Sequence, residues 1–251
     1  MNYAIITGGS RGLGAAISKE LLLENIHIIS ISRNENEELK TLAEANGGSF
    51  ETIPFDLSLT EEIPSVMKEI FEKISLKRAE KIFLINNAGV VTPIKALHLA
   101  DPMEISDNIA INLIAPLLIT SSFIYHTEKY AIDKRIINIS SGSAQNPVYG
   151  WSSYGSSKAG INLFSQTVAI EQKQLKHPTK ICAFAPGVLD TDMQAEIRST
   201  DKSDFTELAR FQAYKAEGNL LSADTVATVI SNLLYSEQFP NGKIVSINDY
   251  V

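Results

Sequence analysis

Several things are scarce in this chain of 251 residues. Cys182 is the only cysteine, so no internal disulfide forms, and His27, His98, His126 and His177 are too scattered to make metal-ligand spacing with it. No metal site is expected. Lys and Arg (22) are outnumbered by Asp and Glu (29), leaving a net charge of −7. A chain without a positive field does not hold phosphate backbones, which argues against a nucleic-acid partner. No uncharged apolar run reaches the ~18 residues that span a bilayer. The opening MNYAIITGGS has no basic stretch followed by a long apolar one, so no signal peptide is expected. The expectation is a cytoplasmic protein with no membrane partner. Internal repeats, low-complexity tracts and linkers are also missing, which predicts one domain over residues 1–251.

What is present is a rhythm. Apolar, β-branched runs stand at Tyr3–Thr7, Ile26–Ser32, Phe50–Phe55, Lys81–Asn86, Lys134–Ser140, Thr179–Ala185 and Lys243–Ile247. Continuous rather than alternating apolarity is what strands covered on both faces require. Between them lie helical candidates at Gly12–Glu24, Glu35–Ala45, Thr60–Lys77, Asp101–Thr127, Ser152–Lys176 and Ser222–Tyr235. Alternation of this kind predicts a single-domain α/β fold, a Rossmann-type doubly wound parallel sheet of about seven strands with helices on both faces. The stretch 187–219 falls outside the rhythm, is polar and charged, and follows a strand end, where open parallel sheets bind ligands. It reads as a substrate lid.

The first strand runs straight into Gly8-Gly9-Ser10-Arg11-Gly12-Leu13-Gly14. Glycines here serve either a tight strand–helix turn or a close backbone approach to a pyrophosphate, with the helix N-terminus supplying free N–H groups. Their position after the first strand favours the second reading. The spacing, G-x-x-x-G-x-G, differs from the commoner G-x-G-x-x-G. The second strand ends Ile31-Ser32-Arg33, with no acid to chelate an adenosine ribose and a guanidinium beside it. Arg33, with Arg11 in the glycine turn, favours a 2′-phosphate and therefore NADP(H).

Tyr154 and Lys158 lie one helical turn apart, so they share a helix face. A tyrosine is a poor acid near neutrality, and an adjacent ammonium brings its pKa of about 10 within useful range. Upstream, the strand through Ile139 ends in the hydroxyls of Ser140 and Ser141, and Asn86-Asn87-Ala88-Gly89 closes the fourth strand with amides and a glycine suited to a cofactor groove. With Pro186-Gly187-x-x-x-Thr191, these segments resemble the short-chain dehydrogenase/reductase family over nearly the whole chain. The finer resemblance, through Asn138-Ile139-Ser140-Ser141-Gly142, Phe184–Gln194 and Phe239–Lys243, is to the sepiapterin-reductase-like branch and the bacterial benzil reductases.

The resemblance implies roles residue by residue. Tyr154 is the general acid that protonates a carbonyl oxygen as hydride reaches carbon. Lys158 holds the nicotinamide ribose and lowers the tyrosine pKa. Ser141 donates to the substrate oxygen, and Asn112 orders a water relay to the lysine. Asp56 and Leu57 match the adenine contact, and Asn86, Ala88 and Gly89 line the adenosine ribose. Pro186, Gly187, Val188 and Thr191 fix the nicotinamide amide and phosphate, while Ile6, Gly8, Ser10, Arg11, Gly12, Leu13 and Gly14 form the loop beneath the cofactor. Tyr149, Trp151, Leu189 and Met193 are substrate candidates, with Phe211 and Tyr214 able to close over an aromatic ligand. The implied activity is NADPH-dependent reduction of a small-molecule ketone, an aromatic 1,2-diketone such as benzil giving (S)-benzoin. Sepiapterin reductases carry a pterin-anchoring aspartate where this chain has Ser246, which disfavours a pterin substrate. A pterin carbonyl reductase, a non-catalytic NADP(H) sensor and a nucleotide-sugar epimerase are the alternatives. Helices 101–127 and 152–176 match the family's dimer interface, so a homodimer is expected.

Overall fold

The computed structural model describes residues 1–251. The apolar runs form seven strands: β1 (Asn2–Thr7), β2 (Ile26–Ser32), β3 (Ser49–Pro54), β4 (Lys81–Asn86), β5 (Asp133–Ile139), β6 (Lys180–Ala185) and β7 (Ile244–Ser246). All neighbours pair in parallel, in the order β3-β2-β1-β4-β5-β6-β7. The order reverses between β1 and β4, which opens a crevice at the carboxyl ends of these strands. Both sheet faces are covered, which is why the strands are apolar throughout. On β1, Ala4 and Ile6 point into one core and Tyr3 and Ile5 into the other.

The helices are α1 (Gly12–Leu23), α2 (Glu37–Ala45), α3 (Ile63–Lys73), α4 (Pro102–Ile109), α5 (Ala115–Thr127), α6 (Ser152–Gln172), α7 (Asp192–Arg198), α8 (Leu208–Ala216) and α9 (Ala223–Tyr235). Helices α1, α2 and α9 close one core, and α3, α5 and α6 the other. Several ends differ from the sequence reading. Helix α2 starts at Glu37 rather than Glu35, because the Asn36 side chain accepts the Leu39 N–H at 3.0 Å and so caps it. The segment predicted as helix over 60–77 opens with a 3-10 turn at Thr60–Glu62 and stops at Lys73, after which Ile74 is extended. Helix α6 ends at Gln172, short of Lys176.

Segment 187–219 contains α7 and α8, which the sequence reading left unassigned. Their side chains join an eight-residue cluster of Val91, Ile94, Trp151, Tyr154, Ile197, Phe205, Leu208 and Phe211, so this segment brings its own small core.

Helices α4 and α5 form one rod, Pro102–Thr127, with a π turn at Ala110–Ile114. By length and composition the rod is apolar enough to cross a membrane, contrary to the sequence reading. Its Asn, Ser and Thr residues interrupt the apolar run but carry no charge. In the fold it packs Ala115, Ile119 and Phe123 into a core and buries Asn108, Asn112 and Thr120 in hydrogen bonds.

Candidate active site

A cleft of about 740 Å³ runs along the carboxyl ends of the strands. At one end lies the turn between β1 and α1. Gly8 (φ +67°) and Gly12 (φ +54°) occupy the left-handed region that favours glycine, and the Gly8 N–H is pinned to the Ile31 carbonyl at 2.8 Å. A Cβ on Gly14 would stand 2.0 Å from the Gly8 oxygen. Gly14 therefore lets α1 fold back on the turn, and it is not part of the cleft wall. Gly8, Ser10, Arg11, Gly12 and Leu13 are. Ile6 is not: it is fully buried in the core beneath.

The loop after β4 is laced to β1. The Thr7 hydroxyl accepts the N–H groups of Asn87 and Ala88 at 2.9 and 3.0 Å, and the Asn87 amide donates to the carbonyls of Thr7 and Gly8. Asn87, Ala88 and Gly89 face the cleft. Asn86, expected there, points inward and donates to Thr120 and Asn138, because alternate residues of a strand face opposite ways. On Gly89 a Cβ would meet the Asn112 side-chain oxygen at 3.0 Å and the Lys158 ammonium at 3.5 Å.

Past β2, Arg33 is exposed and makes no ion pair, and Asp56 and Leu57 stand across from it in the cleft wall. The Asp56 carboxyl is held below its ordinary pKa by the Ser58 N–H and hydroxyl, at 2.9 and 2.8 Å, with help from the Arg33 charge. Arg11 does not join Arg33. Its guanidinium crosses the cleft to Asp192 at the start of α7, at 3.1 Å. A cleft floored by Gly8, Gly12 and Gly89, with the N-terminus of α1 facing it and a free guanidinium at the end of β2, fits an extended dinucleotide.

The other end carries the chemistry. Tyr154 and Lys158 lie on the buried face of α6, in a stripe continued by Ile161, Ser165 and Val168. The Lys158 ammonium donates to the Ile139 carbonyl at 2.9 Å, and burial pushes its pKa down to about 8. Burial raises the Tyr154 pKa, and the hydroxyl of Ser141 opposes that rise. Ser141 lies two residues past β5 and caps the turn Gly142–Ala144, and it shares the cleft wall with Tyr154 and Lys158. Asn112 sits in the π turn, a feature often found at functional sites. Its side chain accepts the Val90 N–H at 2.9 Å and donates to the Val90 carbonyl and Asn108, so it is committed to holding the loop after β4.

Trp151, Leu189 and Met193 lie on the cleft wall, as do Pro186, Gly187, Val188 and Thr191. Tyr149 does not; it is 48% exposed and off the cleft. Trp151 stacks on Phe205 at 5.2 Å between ring centroids and meets Tyr154 and Phe211 edge-on at 5.3 and 5.4 Å. Phe211 and Tyr214 of α8 complete an aromatic roof. Wall residues that the sequence reading missed include Val90, Val91, Ser143, Asn146, Glu207 and Arg210. Ser143 had a readable signal, since it follows Ser141 by one turn residue. Glu207 and Arg210 had none, because the path of segment 187–219 is not local. Ser246 is not on the wall, and its hydroxyl caps the turn after β7 by accepting the Asn248 N–H.

Known proteins fit this geometry. The chain is 48% identical over 249 residues to the benzil reductase ((S)-benzoin forming) of Bacillus cereus, covering 99% of this chain and 100% of that protein. It is 30% identical to the sepiapterin reductase of Meriones unguiculatus, covering 98% of this chain and 95% of that one. A metagenomic short-chain oxidoreductase solved in complex with NADP superposes with a TM-score of 0.75 at 27% identity, over 97% of this chain and 96% of that one. The short chain dehydrogenase family profile matches residues 2–202. A parallel sheet with a glycine turn at one end of its cleft and serine, tyrosine and lysine at the other is thus accounted for: the chain belongs to the short-chain dehydrogenase family of nicotinamide-dependent oxidoreductases.

Proposed function

We propose that the protein is an NADPH-dependent carbonyl reductase acting on an aromatic 1,2-diketone of the benzil type, with (S)-benzoin as its product. The observation that carries this reading is the meeting of Ser141, Tyr154 and Lys158 under an aromatic roof at one end of the cleft. The identity to the Bacillus cereus benzil reductase supports the substrate class. Arg33, unpaired at the end of β2 where no acid stands, supports NADPH over NADH.

A nicotinamide held in the cleft beside Tyr154 and Lys158 would supply the hydride. Tyr154, kept as a neutral phenol by its burial, gives its proton to the carbonyl oxygen as negative charge gathers there. Ser141 donates a hydrogen bond to the same oxygen, from a position fixed by its turn. Lys158, half-protonated near pH 8, favours the phenolate that Tyr154 becomes. Trp151, Phe211 and Tyr214 offer aryl rings edges and faces to pack on. Ser246, at the position of the pterin-anchoring aspartate, is spent on its turn and lies off the cleft wall. Side-by-side assays of NADPH oxidation by benzil and by sepiapterin test the reading: benzil is expected to turn over rapidly, and a preference for sepiapterin would make the pterin reductase the better account.

We further propose that the rod 102–127 and helix α6 pair with a second copy. Met103 and Tyr125 on the rod and Leu163 and Ile170 on α6 are large, apolar and exposed.

A further inference from the structure

The cleft wall holds a second hydroxyl beside Ser141 that the mechanism above does not use. Ser143 donates its hydroxyl to the Ser141 oxygen at 3.0 Å, and its backbone N–H donates to the same oxygen at 3.2 Å. A serine oxygen has two lone pairs and one proton. With both lone pairs taken, the Ser141 hydroxyl can only donate. Its turn is also held in place. Asn146 donates to the Gly142 carbonyl through its backbone and its side chain, at 3.1 and 3.0 Å. Gly155, the residue after Tyr154, leaves room for the Ser143 carbonyl, which a Cβ there would meet at 3.2 Å. The register between this turn and the start of α6 is therefore tight, and it sets where Ser143 stands relative to Tyr154.

We propose that Ser143 is a positioning residue for carbonyl reduction: by filling the lone pairs of the Ser141 oxygen, it forces that hydroxyl to face the reacting oxygen as a donor. Without the Ser143 hydroxyl, the backbone N–H of residue 143 still fills one lone pair, but the other is open and the Ser141 hydroxyl can turn to accept through it. An acceptor beside a developing oxyanion opposes the reaction. The inference rests on the carbonyl-reductase reading for its consequence in catalysis, but its physical content is the direction of one proton. Ser143→Ala should lower kcat for benzil by about tenfold, the scale of one hydrogen bond. KM and the dissociation constant of NADPH should hold steady, and Ser143→Thr, which keeps a hydroxyl, should recover most of the loss.

Two results separate this from a structural or direct role. In a Ser141→Ala background, Ser143→Ala should cost nothing further, because it acts only through Ser141. Losses that multiply would mean that Ser143 touches substrate itself, and would overturn the proposal. The second readout needs no turnover: the ultraviolet titration of the Tyr154 phenol, taken as the difference from Tyr154→Phe. Ser143→Ala should move it to higher pH, towards the position seen in Ser141→Ala, because the phenolate loses a dependable donor. An unmoved titration would overturn the inference even if the protein reduced no carbonyl, whereas a shifted titration without turnover would count against the proposed function alone.

Discussion

Tyr154 and Lys158 are buried together, and burial acts on them in opposite senses: it raises the phenol and lowers the ammonium. With Lys158 near 8, its positive charge is complete below that pH and lost above it. Carbonyl reduction needs the phenol protonated and the ammonium present. The rate of reduction should therefore be flat towards acid and fall as pH rises through about 8. A profile that rises through that range would contradict the assignment. Replacing Tyr154 by Phe should leave NADPH binding near intact and cut turnover by roughly a hundredfold or more, as steady-state rates and fluorescence binding would show. Arg33→Ala should weaken NADPH by about tenfold or more and NADH little, the difference expected of a charge-assisted bond to a 2′-phosphate; equal weakening of both would remove Arg33 from that role. These residues were legible in the sequence because each sits at a strand end or within one helical turn of its partner. Arg11 stands on the cleft wall, but its pairing with Asp192 was not legible, because Asp192 lies on a helix whose path depends on the whole of segment 187–219.

The elements that position the site depend on buried polar ties. Lys134, at the start of β5, is fully buried and donates its ammonium to the carbonyls of Thr127, Tyr130 and His177, joining the end of α5 to the loop after α6. Lys134→Met leaves those acceptors unpaired and should cost about 3 kcal/mol, read from the urea midpoint. A loss below about 0.5 kcal/mol, typical of a surface change, would show that water replaces the ammonium. In segment 187–219, Phe205 has no exposed surface and stacks on Trp151. Phe205→Ala should cost about 3 kcal/mol or more and open the segment between α7 and α8 to protease before the rest of the fold. The sheet was readable since continuous apolarity belongs to covered strands. Helices α7 and α8 were not, because Ile197, Leu208 and Phe211 become a core only on meeting Trp151 and Ile94. Tyr149 and Asn86 were placed near the site by the sequence, but Tyr149 is exposed off the cleft wall and Asn86 points inward to Thr120 and Asn138.

As a whole, the molecule is one sheet whose strand reversal makes a cleft, lined both by the glycine turn after β1 and by Ser141, Tyr154 and Lys158. The exposed apolar residues of the 102–127 rod and α6 predict a homodimer at micromolar concentration, and light scattering that showed a monomer there would remove that proposal. The central claim concerns what the cleft does. Its most direct test is NADPH oxidation by benzil, followed by the loss of nicotinamide absorbance, repeated with NADH, with chiral analysis of the alcohol formed. The account predicts rapid oxidation with NADPH, much slower oxidation with NADH, and (S)-benzoin as product. Tight NADPH binding with no oxidation by benzil, sepiapterin or an aryl aldehyde would contradict it and leave a fold that binds its cofactor without turning it over.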